Sequence, residues 1–215
     1  KLEYAHLPLF LGADKKRLSM RHAATSLAEY KDEGYLDSAI LNTLARLGWS
    51  RGEKEVFYLE DLIKDFEISE VQKAGAIFDV TKLDFLNSHH MANLSREEFI
   101  TAINPFLNDH DININDHPKK DLLIESMRSS SNTLKGVSKN LVCYFKDIDS
   151  YDKKAIDKFI GSSDKVINDL KNKIVELDIW EEDSLDNLLL EYREEHDLPI
   201  PKVNQPIRIA LTGST

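Results

Sequence analysis

A single cysteine, Cys143, excludes a disulfide within the chain. It stands in "KNLVCYF" and reads as a small buried hydrophobe on an apolar helix face rather than as a nucleophile. A reducing, cytoplasmic location fits this usage. No Cys/His set has metal-ligand spacing. His89 and His90 are adjacent, so on a helix they diverge by about 100° and make a poor metal pair. Only 8 Gly and 6 Pro are scattered along the chain, which excludes a long flexible linker. No apolar run approaches the ~20 residues that a membrane-spanning helix needs. The opening "KLEYAHLPLF" lacks the basic-then-apolar order of a signal peptide and begins without Met, so it reads as an internal cut. Basic residues are in deficit: 28 Lys and Arg face 38 Asp and Glu, a net charge of -10. That balance argues against non-specific polyanion binding, and neither DNA nor a membrane surface is expected as a partner.

What is present describes a globular chain. Its 215 residues are 41% hydrophobic and 31% charged, enough for one large or two small domains with real cores. The charge is uneven. Residues 1–51 hold eight Lys/Arg and six Asp/Glu, a local net of +2, which leaves -12 for the rest. Any nucleic-acid contact must therefore use local basic faces on a body that repels phosphate elsewhere, a design that favours one shaped partner.

Nearly every segment has helical periodicity. Ser26 to Glu29 is a capping-box pattern, and Gly34 stops the short helix it opens. Leu36, Ile40, Leu44 and Leu47 follow at helical spacing, with Gly48 as the next stop. Further stripes begin at Leu59, Val80, Leu122, Leu134, Ile156, Val166 and Leu185, and Ser95 to Glu98 is a second capping box. Pro199 and Pro201 are expected to end the last helix. The polar run 108–120, "NDHDININDHPKK", reads as an internal boundary or exposed loop. Only "HLPLFLG" at 6–12 looks like a strand. The fold class expected is mainly α, built of successive antiparallel helices in an array or cage.

One segment carries candidate chemistry. "DKKRLSMRHAATS" begins at Asp14 and crowds Lys15, Lys16, Arg17 and Arg21 around Ser19. Such a loop, led by Gly12, either grips a polyphosphate or is a basic surface turn.

The order of residues is informative. His6, Leu7 and Pro8 lead into Arg17-Leu18-Ser19-Met20-Arg21 and His22; then come Asp32 to Leu36, Asn42, and Leu47-Gly48-Trp49. This order resembles the end of the catalytic domain of bacterial glutamyl-tRNA synthetases. "EVFYLEDLIKDFEISEV", "FDVTKLDFLN" and the late "QPIRIALTG" extend the resemblance over almost the whole chain. The long match from Asp32 to Trp49 is specific; the loop alone is not.

The resemblance implies ATP-dependent activation of glutamate, with Mg2+, and its transfer to tRNA by the full-length enzyme, with no cofactor expected on this chain alone. It implies the end of a Rossmann-type catalytic domain over 1–25 and a helical stem-contact region over 26–94. Two helical anticodon-binding subdomains follow, over 95–150 and 151–215. The helical periodicity points to the bacterial or organellar branch, since the other branch reads the anticodon with β-barrels, and away from a glutamyl-Q type paralogue, which lacks the helical region. The ATP loop would comprise Lys16, Arg17, Leu18, Ser19, Met20 and Arg21. In the family pattern Lys-Leu/Met-Ser-Lys-Arg, the second Lys neutralises the phosphates as pyrophosphate leaves. That position is Met20 here, Arg17 keeps the first charge, and Ala23 replaces a common Gly. The tRNA-binding residues implied are Arg46, Arg128, Ser130, Lys135, Gln205 and Arg208. Ser130 stands in "SMRSSSNTLKG" where the family often has an Arg that separates glutamate from glutamine tRNA, so relaxed discrimination is expected and both tRNAs are candidate partners. Arg208 reads either as an anticodon contact or as a salt-bridged structural Arg. A non-catalytic helical RNA-binding or interaction module is the alternative function, to be distinguished by a HIGH-type motif upstream.

Overall fold

The computed structural model describes residues 4–12, 14–18, 26–161 and 164–214. Among them are eleven α-helices, a few 3-10 turns and two strands of two residues each. The chain forms two compact units, Lys1–Val142 and Cys143–Thr215.

The first unit contains β1 (Phe10–Leu11), α1 (Leu27–Asp32), α2 (Asp37–Ala45), α3 (Leu59–Asp65), β2 (Ala76–Ile77), α4 (Val80–Ala92), α5 (Arg96–Asn108), α6 (Lys120–Met127) and α7 (Leu134–Leu141). The helix starts follow from their caps. The Ser26 hydroxyl accepts the Glu29 amide at 3.3 Å and opens α1. At α5 the box is reciprocal: Glu98 N–H donates to Ser95 Oγ at 3.2 Å, and Ser95 N–H donates to Glu98 Oε2 at 2.8 Å. These bonds hold the Glu98 carboxyl below the usual carboxylate range. Gly34 and Gly48, expected as stops, both adopt left-handed backbone, at φ 87° and 99°.

Helix α2 packs on α3 and α4, while α7 packs on α5 and α6. Trp49, Phe57 and Leu62 form a buried cluster with Ala45 and Val71 against it. The Trp49 ring lies 5.1 Å from Phe57 and 5.4 Å from Phe66. Leu83 and Leu86 on α4, Phe99, Ile103 and Leu107 on α5, and Leu134, Val137 and Leu141 on α7 are all buried. The stripes read in the sequence are thus core in part: Leu59, Ile63, Val80 and Leu122, at the edges of their stripes, stay exposed.

Two expectations need correction here. The strand over 6–12 shrinks to Phe10–Leu11, paired in parallel with the unforeseen β2 in the register Phe10↔Ala76 and Leu11↔Ile77. Ala76 N–H donates to Leu9 O at 2.9 Å and Phe78 N–H to Leu11 O at 2.8 Å. Pro8 carries no donor to extend the ladder backwards, and a turn begins at Gly12. The polar run 108–120 is no boundary, because it lies inside the first unit. It is not wholly exposed either. Ile112 and Ile114 are buried, with a 3-10 turn over Ile114–Asp116 capped by Asn113. Two Ile spaced by two in extended chain fall on one side and anchor an otherwise polar loop.

The second unit contains α8 (Lys153–Ala155), which continues as a wide π-type turn over Ile156–Ile160, then α9 (Asp164–Val175), α10 (Glu182–Glu195) and α11 (Ile200–Thr212). Leu170, Tyr192 and Val203 form its core, with Leu188, Leu198 and Ile207 among the residues packed on it. Pro199 and Pro201 do not follow the last helix; they start α11. Proline suits a first turn, where its missing N–H would have had no helical partner. Pro206 lies inside α11, which is why the segment did not read as helical. Cys143 sits in a 3-10 turn, Val142–Tyr144, rather than on a helix face, and is only half-buried. Burial pushes its thiol pKa up, which does not favour the thiolate. Among the described residues no helix is long and apolar enough to cross a membrane.

Candidate nucleic-acid interface

The basic segment begins as a tight turn. Leu11 and Arg17 form an antiparallel bridge, and Leu18 N–H donates to Phe10 O at 2.9 Å. Between them, Gly12 N–H donates to Lys16 O and Lys15 N–H to Gly12 O, both at 2.9 Å, with Lys15 at φ 60°. Asp14 closes the turn: its carboxylate accepts Lys16 N–H at 3.0 Å and lies 3.9 Å from Lys16 Nζ. Lys15, Lys16 and Arg17 are exposed, and Leu18 is half-buried. One exposed carboxylate restrains Lys16 weakly, so the cations stay available to an anion. Ser19, Met20 and Arg21, the rest of the expected ATP loop, lie outside the described residues, as do His22 and Ala23.

The segment expected to read the anticodon links α6 to α7. Arg128, at the C-terminal end of α6, has a side chain only 14% exposed. Its Nη1 donates to Ala92 O at 3.2 Å and Leu94 O at 2.9 Å, and Nη2 lies 3.9 Å from a Glu125 carboxylate oxygen. Its guanidinium carbon lies 5.0 Å from the Phe99 ring centroid, a cation–π stack. The nearest cation to Ser130 is therefore committed to the corner between α4 and α5. Ser130 itself is held from α7: Asn140 Nδ2 donates to its carbonyl at 3.1 Å and its Oγ at 3.2 Å. Lys135 is exposed and pairs with Glu33 at 2.7 Å, a hydrogen bond that raises its pKa.

Behind this segment lies a buried polar layer that sequence reasoning missed. Asn87, fully buried on α4, accepts Leu36 N–H at 2.8 Å and donates to Asn132 O at 2.6 Å. Asn42 donates to Glu55 O at 3.1 Å and accepts Phe57 N–H at 2.8 Å. Its Oδ1 lies 3.1 Å from His90 Nε2, so the ring nitrogen there is the donor. Buried Asn in helix interiors was the only available signal, since Asn is a poor helix former that needs a bonding reason to be there.

Burial lowers the His90 pKa, and neighbouring His89 adds to the shift. The sign follows. His90 stays neutral in the fold while an unfolded His protonates near pH 6.5, so its stabilising share is intact above that pH and is lost as pH falls below it. Chemical denaturation of wild type should thus show a larger loss of stability between pH 7 and pH 5 than His90→Gln, which keeps a donor towards Asn42 without titrating. Parallel losses in the two proteins would assign the pH response to other groups.

Arg46, at the end of α2, donates to Lys54 O at 2.6 Å and lies 3.7 Å from Glu55. Lys82 also binds Glu55 and is the main reason its carboxyl pKa is low. In the second unit, Gln205 and Arg208 both lie on α11. Gln205 Oε1 is buried with no hydrogen-bond partner among the described residues. Arg208 is exposed and, among the described residues, forms no ion pair, so the salt-bridged reading finds no partner. It differs in this from Arg46, Arg128 and Lys135, whose cationic groups are all engaged. No group of three or more His, Cys, Asp or Glu side chains among the described residues is placed to hold a metal ion.

Comparison with known proteins accounts for this layout. Residues 1–85 match the family "tRNA synthetases class I (E and Q), catalytic domain", and residues 98–215 match "Anticodon binding domain". The chain is 36% identical to a glutamate–tRNA ligase of Thermodesulfovibrio yellowstonii, over 99% of the chain and 47% of that protein. It is 33% identical to one of Coxiella burnetii, over 99% of the chain and 45% of that protein. Among solved structures, it superposes on a glutamate–tRNA ligase of Elizabethkingia meningosepticum in complex with its amino acid, with a TM-score of 0.71 and 27% identity. That match covers 99% of the chain and 46% of the other. The chain thus spans about half the length of the curated relatives it matches. With the anticodon-binding family model matching more than half of its residues, the chain belongs to the anticodon-binding-domain family, and glutamate–tRNA ligases align along 99% of it.

Proposed function

We propose that this chain is the tRNA-binding portion of an ATP-dependent, cytoplasmic glutamate–tRNA ligase. The observation that carries the reading is the succession, on one chain, of a class I catalytic match over 1–85 and an anticodon-binding match over 98–215. Residues 1–25 end the catalytic domain, 26–94 contact the tRNA stem, and 95–150 and 151–215 form the anticodon-binding subdomains. Lys16, Arg17, Ser19 and Arg21 are the residues that would bind the ATP phosphates when the rest of the catalytic domain and Mg2+ are present. They work by position and charge, without covalent chemistry. Met20 adds no charge there, so the flanking cations carry the electrostatics.

On the tRNA side, exposed Arg208 and half-buried Ser130 are the proposed readers, with Gln205 beside Arg208. Arg46 and Lys135 are phosphate contacts that exchange a carboxylate partner for RNA. Arg128 acts as a support. Ser130 is short, neutral, and both donor and acceptor, so it admits either base at the third anticodon position. Glutamate and glutamine tRNAs are then both accepted.

The test is fluorescence anisotropy of the 215-residue chain with two anticodon stem-loops that differ only in the third anticodon base, C or G. Wild type should bind both with a strong salt dependence and little preference. Ser130→Arg should sharpen the preference about ten- to a hundred-fold, because a fixed fork of donors favours one base edge and leaves the other unmatched. Binding no tighter than to an unrelated hairpin would overturn the reading. Strong discrimination by wild type that Ser130→Arg leaves unchanged would remove Ser130 from it.

A further inference from the structure

We propose that Asn87 is a positioning residue for anticodon reading: it fixes the Ser129–Thr133 turn from α4, so that selectivity at position 130 depends on a buried amide. The proposal rests on the reading of residue 130 given above.

The geometry is specific. Asn87 is fully buried, and both ends of its carboxamide are used. Oδ1 accepts Leu36 N–H at 2.8 Å, at the N-cap of α2. Nδ2 donates to Asn132 O at 2.6 Å and lies 3.3 Å from Met91 Sδ. The next residue of α4 holds the Asn132 side chain: Ser88 Oγ donates to Asn132 Oδ1 at 2.8 Å. Asn132 is therefore gripped by backbone and side chain from two consecutive residues of one helix. Two positions earlier in the turn, Asn140 of α7 holds Ser130 by its carbonyl and its Oγ. With that oxygen accepting from Asn140, the hydroxyl proton is free to donate elsewhere.

A turn clamped at residues 130 and 132 by two different helices presents position 130 in one orientation. An isosteric apolar residue at 87 would fill the same space, but it would leave the Leu36 N–H and the Asn132 carbonyl unbonded. What the amide adds over simple filling is register between the turn and the first turn of α2. A loosened turn lets a side chain at 130 meet either base edge, whereas a held one does not, and discrimination between bases needs the donor fork placed within a fraction of an ångström.

A double-mutant cycle tests this with the two stem-loops and the full 215-residue chain. Ser130→Arg alone should prefer one hairpin about ten- to a hundred-fold. Adding Asn87→Ala should collapse that preference to under about threefold, while the slope of affinity against salt stays the same because phosphate contacts are untouched. Ser88→Ala on the Ser130→Arg background removes only the Asn132 side-chain bond and should halve the preference or more, with little change in melting temperature. Amide exchange at Ser129–Thr133 should quicken in both. If the preference survives in both double variants while the melting temperature falls, Asn87 is purely structural and the proposal is wrong. Should Asn87→Ala fail to fold, an unchanged preference in the Ser88→Ala double variant overturns it alone. Ser130→Arg without any preference would instead overturn the reading of residue 130, and this proposal with it.

Discussion

Gly34→Ala should destabilise the first unit by roughly 2–4 kcal/mol, the sum of a left-handed backbone and a steric clash. Gly34 sits at φ +87°, and an added Cβ would lie 2.5 Å from Lys135 N and 2.9 Å from Leu134 N. Those atoms are backbone at the start of α7, so no side-chain rotation relieves the overlap. The same approach carries a hydrogen bond, Leu134 N–H to Gly34 O at 3.0 Å, which the displaced turn would lose. Gly52 supplies the control. It has φ +59° and nothing within 4 Å of a built Cβ, so Gly52→Ala should cost only the backbone strain, about 1–2 kcal/mol. Urea unfolding of both variants separates strain from contact; equal losses would mean that the contact between the α1–α2 turn and α7 is not tight.

The joint at Gly34 shows what was legible in the sequence. Gly34 read as a helix stop, correctly, because a left-handed C-terminal residue has a strong local signature. That it also admits the backbone of residues 134 and 135 was illegible, since no local pattern reports a neighbour a hundred positions away. The same division runs through the fold. Helices with clear stripes and caps, such as α5 behind its Ser95–Glu98 box, were found from sequence. β2 was not, because two residues of parallel ladder leave no alternation to detect. α11 was hidden by its prolines, each tolerable for a different reason: Pro201 in the first turn, and Pro206 inside, buried in the packing of the second unit.

In the candidate site, the resemblance pointed to Ser130, Arg128 and Arg208 by position. It carried no information on which of the two cations was free. Asn87 of α4 bonds Asn132 and Asn140 of α7 bonds Ser130, and no local sequence pattern reports either contact.

Arg128→Ala should unfold the corner between α4, α5 and α6 rather than merely weaken an RNA contact. The guanidinium donates to the carbonyls of Ala92 and Leu94, the last residue of α4 and the segment leading to Ser95, and stacks on Phe99 of α5. Removing it leaves two carbonyls without their charged donor and opens space beside a buried ring. A hydrogen bond to a charged group contributes about 1.5–3 kcal/mol, and the side chain is mostly buried, so a loss of roughly 2–4 kcal/mol is expected. The Glu125 pair at 3.9 Å adds little, since that carboxylate is half-exposed. Arg128→Lys distinguishes support from reading. A lysine keeps the positive charge that an RNA phosphate requires, but one ammonium on a flexible stem does not reproduce the planar fork that spans two carbonyls and covers a ring. Arg128→Lys should therefore recover less than half of the lost stability. Near-wild-type stability in both variants, with stem-loop binding lost in Arg128→Ala and retained in Arg128→Lys, would instead make Arg128 a phosphate contact. With Arg128 committed to the corner, selectivity introduced at position 130 should owe nothing to its charge: Arg128→Gln, which removes the charge and keeps a donor towards the carbonyls, should leave the preference of Ser130→Arg between the two stem-loops unchanged.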